Sequence, residues 1–129
     1  MILDTSFLID VLRGNEEVET TVQRVDSAGS AHVSAVTVME LWEGIHRSSA
    51  SERERTAVEN LLIDVRELPF DRDCAMTAGE LNATLSRAGT PIEDPDVMIA
   101  ATALVHDIPV VTNNVDHFDR IDDLEILTY

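Results

Sequence analysis

The stretch Met1-Ile2-Leu3-Asp4-Thr5-Ser6-Phe7-Leu8-Ile9-Asp10-Val11-Leu12-Arg13-Gly14 compresses a strand, a turn and a helix into the opening of the chain. Ile2 and Leu3 read as a short apolar strand, Thr5 and Ser6 are good helix-capping residues, and the apolar run that follows suits a helix that Gly14 breaks. Asp4 stands between strand and helix. Working outward, Glu16 to Ala28 reads as a second helix with Val18, Val22 and Val25 on one face, closed by Gly29. His32 to Val36 reads as a strand, and Thr37 to Arg47 as an amphipathic helix with Val38, Leu41, Trp42 and Ile45 at helical spacing. Ser51 and Glu54 have capping-box spacing for a helix carrying Ala57, Leu61 and Leu62. Asp64 to Leu68 is a third strand, and Asp71 to Gly89 the longest helical segment, its Cys74, Ala78, Leu81, Leu85 and Ala88 stepping by three or four. Pro95 suits the first turn of a nearly all-apolar helix from about Asp94 to Asp107. Pro109 to Thr112 is a fourth strand, Asn113 to Phe118 a loop or short helix, and Glu125 to Thr128 a last strand.

Short apolar strands alternating with helices predict an α/β fold of three layers, a mainly parallel central sheet of about five short strands flanked by helices. Ligands of such sheets collect at the carboxyl ends of the strands, near the point where strand order reverses. The 129 residues, 44% apolar and 26% charged, carry no linker, repeat or low-complexity tract, so residues 1–129 are expected to form one domain. At this length about two-thirds of the unfolded chain's surface can be buried without disulfides or a structural metal.

The charge is unusual: 25 acids stand against 9 arginines, with no lysine, for a net charge of −16. No phosphate-binding P-loop, Schiff-base enzyme, receiver domain or haloacid-type phosphatase can be built without its lysine. Acid spread along the whole chain, with arginine in place of lysine, predicts a halophilic protein whose self-repulsion is screened by concentrated salt. Cys74, the single cysteine, forms no internal disulfide and suits a reducing cytoplasm. Neither a leader-like segment nor an apolar run approaching 18 residues is found, so a cytoplasmic protein with no membrane association is expected.

The location rule singles out a few of the acids. Asp4 ends the first strand, where its alternative role is to cap the next helix. Glu40 sits between apolar neighbours in Val38-Met39-Glu40-Leu41-Trp42, where a helix-face ion pair is the alternative. Asp96 opens the apolar helix, facing a site as well as the helix dipole, and Glu93 and Asp94 beside it read as solvated or capping acids. Asn113-Asn114-Val115-Asp116-His117 follows the fourth strand with more polar groups, and His117 reads as a surface or capping residue. Glu43 and His46 give one Glu-x-x-His pair where a di-metal bundle needs two. Clustered carboxylates raise one another's pKa, and a divalent cation resolves this. Hard oxygen donors without Cys or His favour Mg²⁺ or Mn²⁺, which can activate a water and neutralise a phosphodiester.

Leu3-Asp4-Thr5-Ser6-Phe7-Leu8-Ile9-Asp10, then Met39-Glu40-Leu41 with Gly44, then Asp96-Val97-Met98-Ile99-Ala100-Ala101-Thr102-Ala103, then Val111-Thr112-Asn113-Asn114 with Phe118 together resemble the PIN-domain endoribonucleases. The likeness, in order and spacing over essentially the whole chain, is greatest to the VapC-type toxins of toxin–antitoxin pairs. The resemblance implies an acidic pocket binding Mg²⁺ or Mn²⁺ and cleaving RNA, with Asp4 and Asp96 as principal metal ligands. Glu40 would complete the catalytic set, with Thr5, Thr112 and Asn114 in support. Many relatives have an acid where this chain has Asn114, which leaves the fourth place open: Asp116 takes it, Asn114 holds a metal-bound water, or a second metal binds weakly. A cognate antitoxin protein and a homodimer are also implied. Leu41, Trp42 and Ile45 could form an antitoxin groove, although such a stripe usually belongs to a core. An RNA-maturation nuclease and a decayed RNA- or partner-binding module are the competing readings.

Overall fold

The structure, a computed structural model, describes residues 1–129 throughout. In chain order it runs β1 (Ile2–Leu3), α1 (Thr5–Leu12), a 3-10 turn (Glu16–Val18), α2 (Glu19–Ala28), β2 (His32–Ser34), α3 (Ala35–Arg47) and α4 (Ser51–Ile63). It continues with β3 (Arg66–Leu68), α5 (Arg72–Arg87), α6 (Asp94–His106), β4 (Val110–Val111), α7 (Val115–Phe118) and β5 (Ile126–Leu127). The five strands form one sheet in the order β3-β2-β1-β4-β5, every pair parallel. The chain runs outward from β1 through β2 to β3, then crosses to the other side for β4 and β5. The reversal therefore falls between β1 and β4, where Ile2 pairs with Val110 and Leu3 with Val111.

Successive side chains of a strand point to opposite faces, and the two central strands use this to serve two cores. Ile2 and Val110 join the apolar cluster made with α5, α6 and α7, including Val97, Ile99, Leu85 and Phe118. Leu3 and Val111 join the other, with Phe7, Leu8, Val25, Leu41, Ile45 and Val58 from α1 to α4. The sheet is thus covered on both faces, as a parallel sheet requires. The nearly all-apolar helix is likewise explained, since Val97, Ile99, Ala100, Ala101, Thr102 and Ala103 of α6 are all fully buried.

Four local expectations are corrected. The second strand ends at Ser34 rather than Val36, because the buried Ser34 Oγ accepts the Val36 N–H at 3.1 Å and starts α3 two residues earlier. The segment from Glu16 is broken into a 3-10 turn, started by Asn15 accepting the Glu17 N–H, and then α2; Gly29 closes it at φ 71°. Ser51 is no cap: Ser48 Oγ accepts from the Ala50 N–H at 3.0 Å and donates to Glu54 at 2.8 Å, so the reciprocal contact begins three residues upstream. Trp42 lies outside the core that Leu41 and Ile45 enter, and is 37% exposed. No helix is long and apolar enough to cross a membrane.

Candidate active site

The reversal between β1 and β4 delivers two residues side by side. Asp4 follows β1 and is only 3% exposed. It occupies the N-cap position of α1, yet its side chain makes no capping bond. Its Oδ2 instead accepts from two hydroxyls, Ser6 Oγ at 2.7 Å and Thr112 Oγ1 at 2.7 Å, and no side chain bonds to Oδ1. Thr112, fully buried after β4, accepts in turn from the Asn114 N–H at 2.9 Å. A directed chain therefore runs from the Asn114 amide through the Thr112 hydroxyl to the Asp4 carboxylate.

Glu40, half-buried on α3, is reached from the same β1–α1 corner. Thr5 Oγ1 lies 2.7 Å from Glu40 Oε1 and 3.0 Å from the buried Thr37 Oγ1. A threonine hydroxyl has one proton; it goes to the carboxylate at the shorter distance, and Thr37 supplies the other bond. Asp96, in the first turn of α6, is held from α7 and the residue before it. His117 Nδ1 lies 2.8 Å from Asp96 Oδ2, and Asn114 Nδ2 lies 3.4 Å from that oxygen and 3.0 Å from His117 Nδ1. Two acceptors do not sit 2.8 Å apart, so the proton between His117 and Asp96 is on Nδ1 and His117 donates; that nitrogen then has no lone pair for Asn114, whose Nδ2–H is left the 3.4 Å contact with Asp96 Oδ2.

The carboxylates act on one another. Asp4 is pushed above the usual carboxylate range chiefly by burial, against which the Ser6 and Thr112 hydroxyls pull, and the Asp96 charge adds to the rise. Glu40 is raised first by burial as well, opposed by Thr5, with Asp4, Asp96 and Glu43 adding repulsion. No arginine reaches any of the three; the one arginine ion pair in the molecule is the exposed Arg47–Glu43 contact at 3.5 Å. The cluster is short of positive charge.

Six of the residues singled out from the sequence are brought together: Asp4, Thr5, Glu40, Asp96, Thr112 and Asn114. Asp116 is not among them, being exposed on α7 without a side-chain bond. Glu93 and Asp94 are exposed too, and Asp94 meets Asn82 instead. Ser6, Thr37 and His117 were missed. Their signals were positional: Ser6 and Asp4 are two apart across the helix start, and His117 stands one helical turn after Asn114.

The residues fit a hard divalent cation. The raised carboxyls of Asp4 and Glu40 beside Asp96, with no side-chain bond to Asp4 Oδ1 and no arginine in reach, are the donor set such an ion takes. No three of the Asp, Glu, His and Cys side chains are arranged to grip an ion by themselves, so an ion here would have to complete its shell with water, as Mg²⁺ usually does.

The whole arrangement has counterparts. Residues 1–124 match the family model described as PIN domain. The tRNA(fMet)-specific endonuclease VapC of Salmonella typhimurium is 38% identical over 94 residues, 73% of this chain and 71% of that protein. The tRNA(fMet)-specific endonuclease VapC of Shigella flexneri is 31% identical over 119 residues, 92% of this chain and 89% of that one. The crystal structure of DNA-bound VapBC from Salmonella typhimurium superimposes with a TM-score of 0.91 at 33% identity, covering 98% of this chain and 96% of that one. With the five-stranded parallel sheet and its helices matched along nearly its full length, the chain belongs to the PIN-domain family and, within it, to the VapC ribonucleases.

Proposed function

We propose that this protein is a metal-dependent endoribonuclease that hydrolyses RNA phosphodiester bonds as the toxin of a toxin–antitoxin pair, with residues 1–129 acting as one nuclease domain. The observation that carries the reading is the gathering of Asp4, Glu40 and Asp96 at the reversal of strand order, where burial first and neighbouring carboxylate charge second raise the pKa of Asp4 and Glu40 with no arginine to balance them. Asp4 and Asp96 would hold Mg²⁺ or Mn²⁺. When bound, the ion would supply charge neutralisation at the phosphodiester and a water acidic enough to attack it.

The chain's own residues set the geometry. Ser6 and Thr112 fix Asp4 Oδ2, so the free oxygen, Oδ1, is the one available to a ligand. His117 and Asn114 fix Asp96 Oδ2 in the same sense. Thr5 occupies Glu40 Oε1 and leaves Oε2 to orient, or accept a proton from, the attacking water. The fourth place falls to Asn114 and His117 rather than to Asp116.

A cognate antitoxin is the expected protein partner, since VapBC complexes are among the similar structures. A homodimer, a cytoplasmic location and a salt-rich interior complete the reading. The deciding experiment incubates total RNA with the purified protein and Mg²⁺ or Mn²⁺ across a range of salt. Cleavage by the wild type and none by Asp4→Asn or Asp96→Asn is expected; full cleavage by folded Asp96→Asn overturns the assignment.

A further inference from the structure

A chain at −16 must still hold a polyanion. Most of its surface repels RNA, so any strand that reaches the carboxylates needs a local cationic path. The nine arginines are spaced along the sequence with no basic run, but the fold does not leave them scattered. Arg13 closes α1, Arg47 ends α3 and Arg53 lies in the first turn of α4, and all three line one groove of about 450 Å³ between these helices. Glu40 lines the same groove. The two other main hollows differ: one holds a single arginine, Arg24, and the other has Asp26 and Asp64 but no cation.

The three guanidinium groups are available. Arg13 and Arg53 bond to no side chain, and Arg47 has only its exposed contact with Glu43, a kind of pair that contributes about 0–1 kcal/mol. The fork geometry of a guanidinium matches a phosphate. Two acids, Glu40 and Glu54, also line the groove, Glu54 accepting from Ser48 at 2.8 Å, so the lining arginines exceed the lining acids by one. Leu41 and Ile45 add apolar lining.

We infer that this groove carries the RNA strand away from the cleavage site, with Arg13, Arg47 and Arg53 binding backbone phosphates next to the one held at the carboxylates. The inference rests on the proposed nuclease function, because it is Glu40 in the groove's lining that makes it the substrate's path. The occupant is single-stranded RNA: its backbone alone has to be continuous between a rim of guanidinium groups and a carboxylate cluster that works on phosphodiesters.

The test separates binding from cleavage. A fluorescein-labelled single-stranded RNA is titrated, in Mg²⁺, with Asp96→Asn protein and with the same protein carrying R13Q, R47Q and R53Q. Potassium chloride is varied within the range where circular dichroism finds both folded. Each lost phosphate contact lowers the slope of log Kd against log salt by about 0.7 for a single strand, so the triple change should flatten it by about 2. Over a fourfold rise in salt, the affinity loss shrinks by roughly 20-fold. R87Q with R120Q, outside the groove, should leave the slope as it was. An unchanged slope in the triple variant, or an equal change in the control, overturns the groove assignment. So does loss of antitoxin binding with the RNA slope intact, which would give the groove to the protein partner. Wild-type cleavage of the same RNA is measured in parallel: cleavage with an unchanged slope defeats the groove alone, whereas no cleavage with either metal defeats the nuclease reading and the groove with it.

Discussion

Thr112 donates its hydroxyl proton to Asp4 across 108 positions of sequence, at 2.7 Å and fully buried, and this bond ties together the ends of the two central strands. A hydrogen bond to a charged group contributes about 1.5–3 kcal/mol. Replacing Thr112 with valine keeps the shape and removes the donor, so kcat/KM should fall between about 10- and 150-fold. Thr112→Ser should restore most of it. Equal rates for valine and serine would mean that the hydroxyl does not act on Asp4.

Removing the charge of Asp4 should stabilise the metal-free protein. A carboxyl whose pKa is raised on folding binds its proton more tightly in the folded state, so stability is highest at low pH and is lost as pH rises through the folded value. Each unit of that rise corresponds to about 1.4 kcal/mol. Asp4→Asn, in EDTA at pH 7, should therefore melt above the wild type, and the gap should narrow as pH falls towards 4. A variant that melts lower at pH 7 would show that burial of the charge costs nothing here.

His117 bonds to Asp96 without belonging to either core. Outer partners of metal ligands typically contribute 10- to 100-fold in metal affinity. His117→Ala should weaken Mn²⁺ binding, measured calorimetrically, by that order, with little change in melting temperature. Asp116→Asn, one residue away but exposed, should leave the affinity within about twofold, since surface substitutions of this kind rarely exceed 0.5 kcal/mol.

Salt should raise stability steeply. Only one arginine is paired with an acid, so most of the 25 carboxylates repel without local relief. Screening shortens to about 3 Å at 1 M salt. The wild-type melting temperature should climb between dilute buffer and molar potassium chloride, and greatest stability in dilute buffer would contradict the halophilic reading.

Much of this was legible in the chain. The alternation of strands and helices and the buried character of α6 came from period, and Asp4, Glu40 and Asp96 were singled out by position, with a helix cap for Asp4 and a helix-face ion pair for Glu40 as the ordinary alternatives. Strand order was beyond reach. Pairings such as Ile2 with Val110 leave no local trace, and they alone bring Thr112 to Asp4. His117 and Asp116 exchanged their expected places for a related reason. On a helix as short as α7 the inward face is set by where Phe118 inserts into the core, which local composition does not encode. Trp42 misled because helical spacing marks a stripe without marking its edge, and it lies at the edge, under Arg55 at 5.3 Å.

The placement of the reversal between β1 and β4 also governs when the protein becomes capable of its chemistry. During synthesis Asp4 emerges 108 positions before Thr112, and Asn114 and His117 follow later still. The central pairing of the sheet cannot close until the strand at Val110 and Val111 has left the ribosome. Until then Asp4 has neither its Thr112 donor nor its neighbour β4. A chain interrupted before β4 would lack the Thr112 contact to Asp4 and the His117 contact to Asp96, so the geometry of the carboxylates depends on a pairing made late in folding.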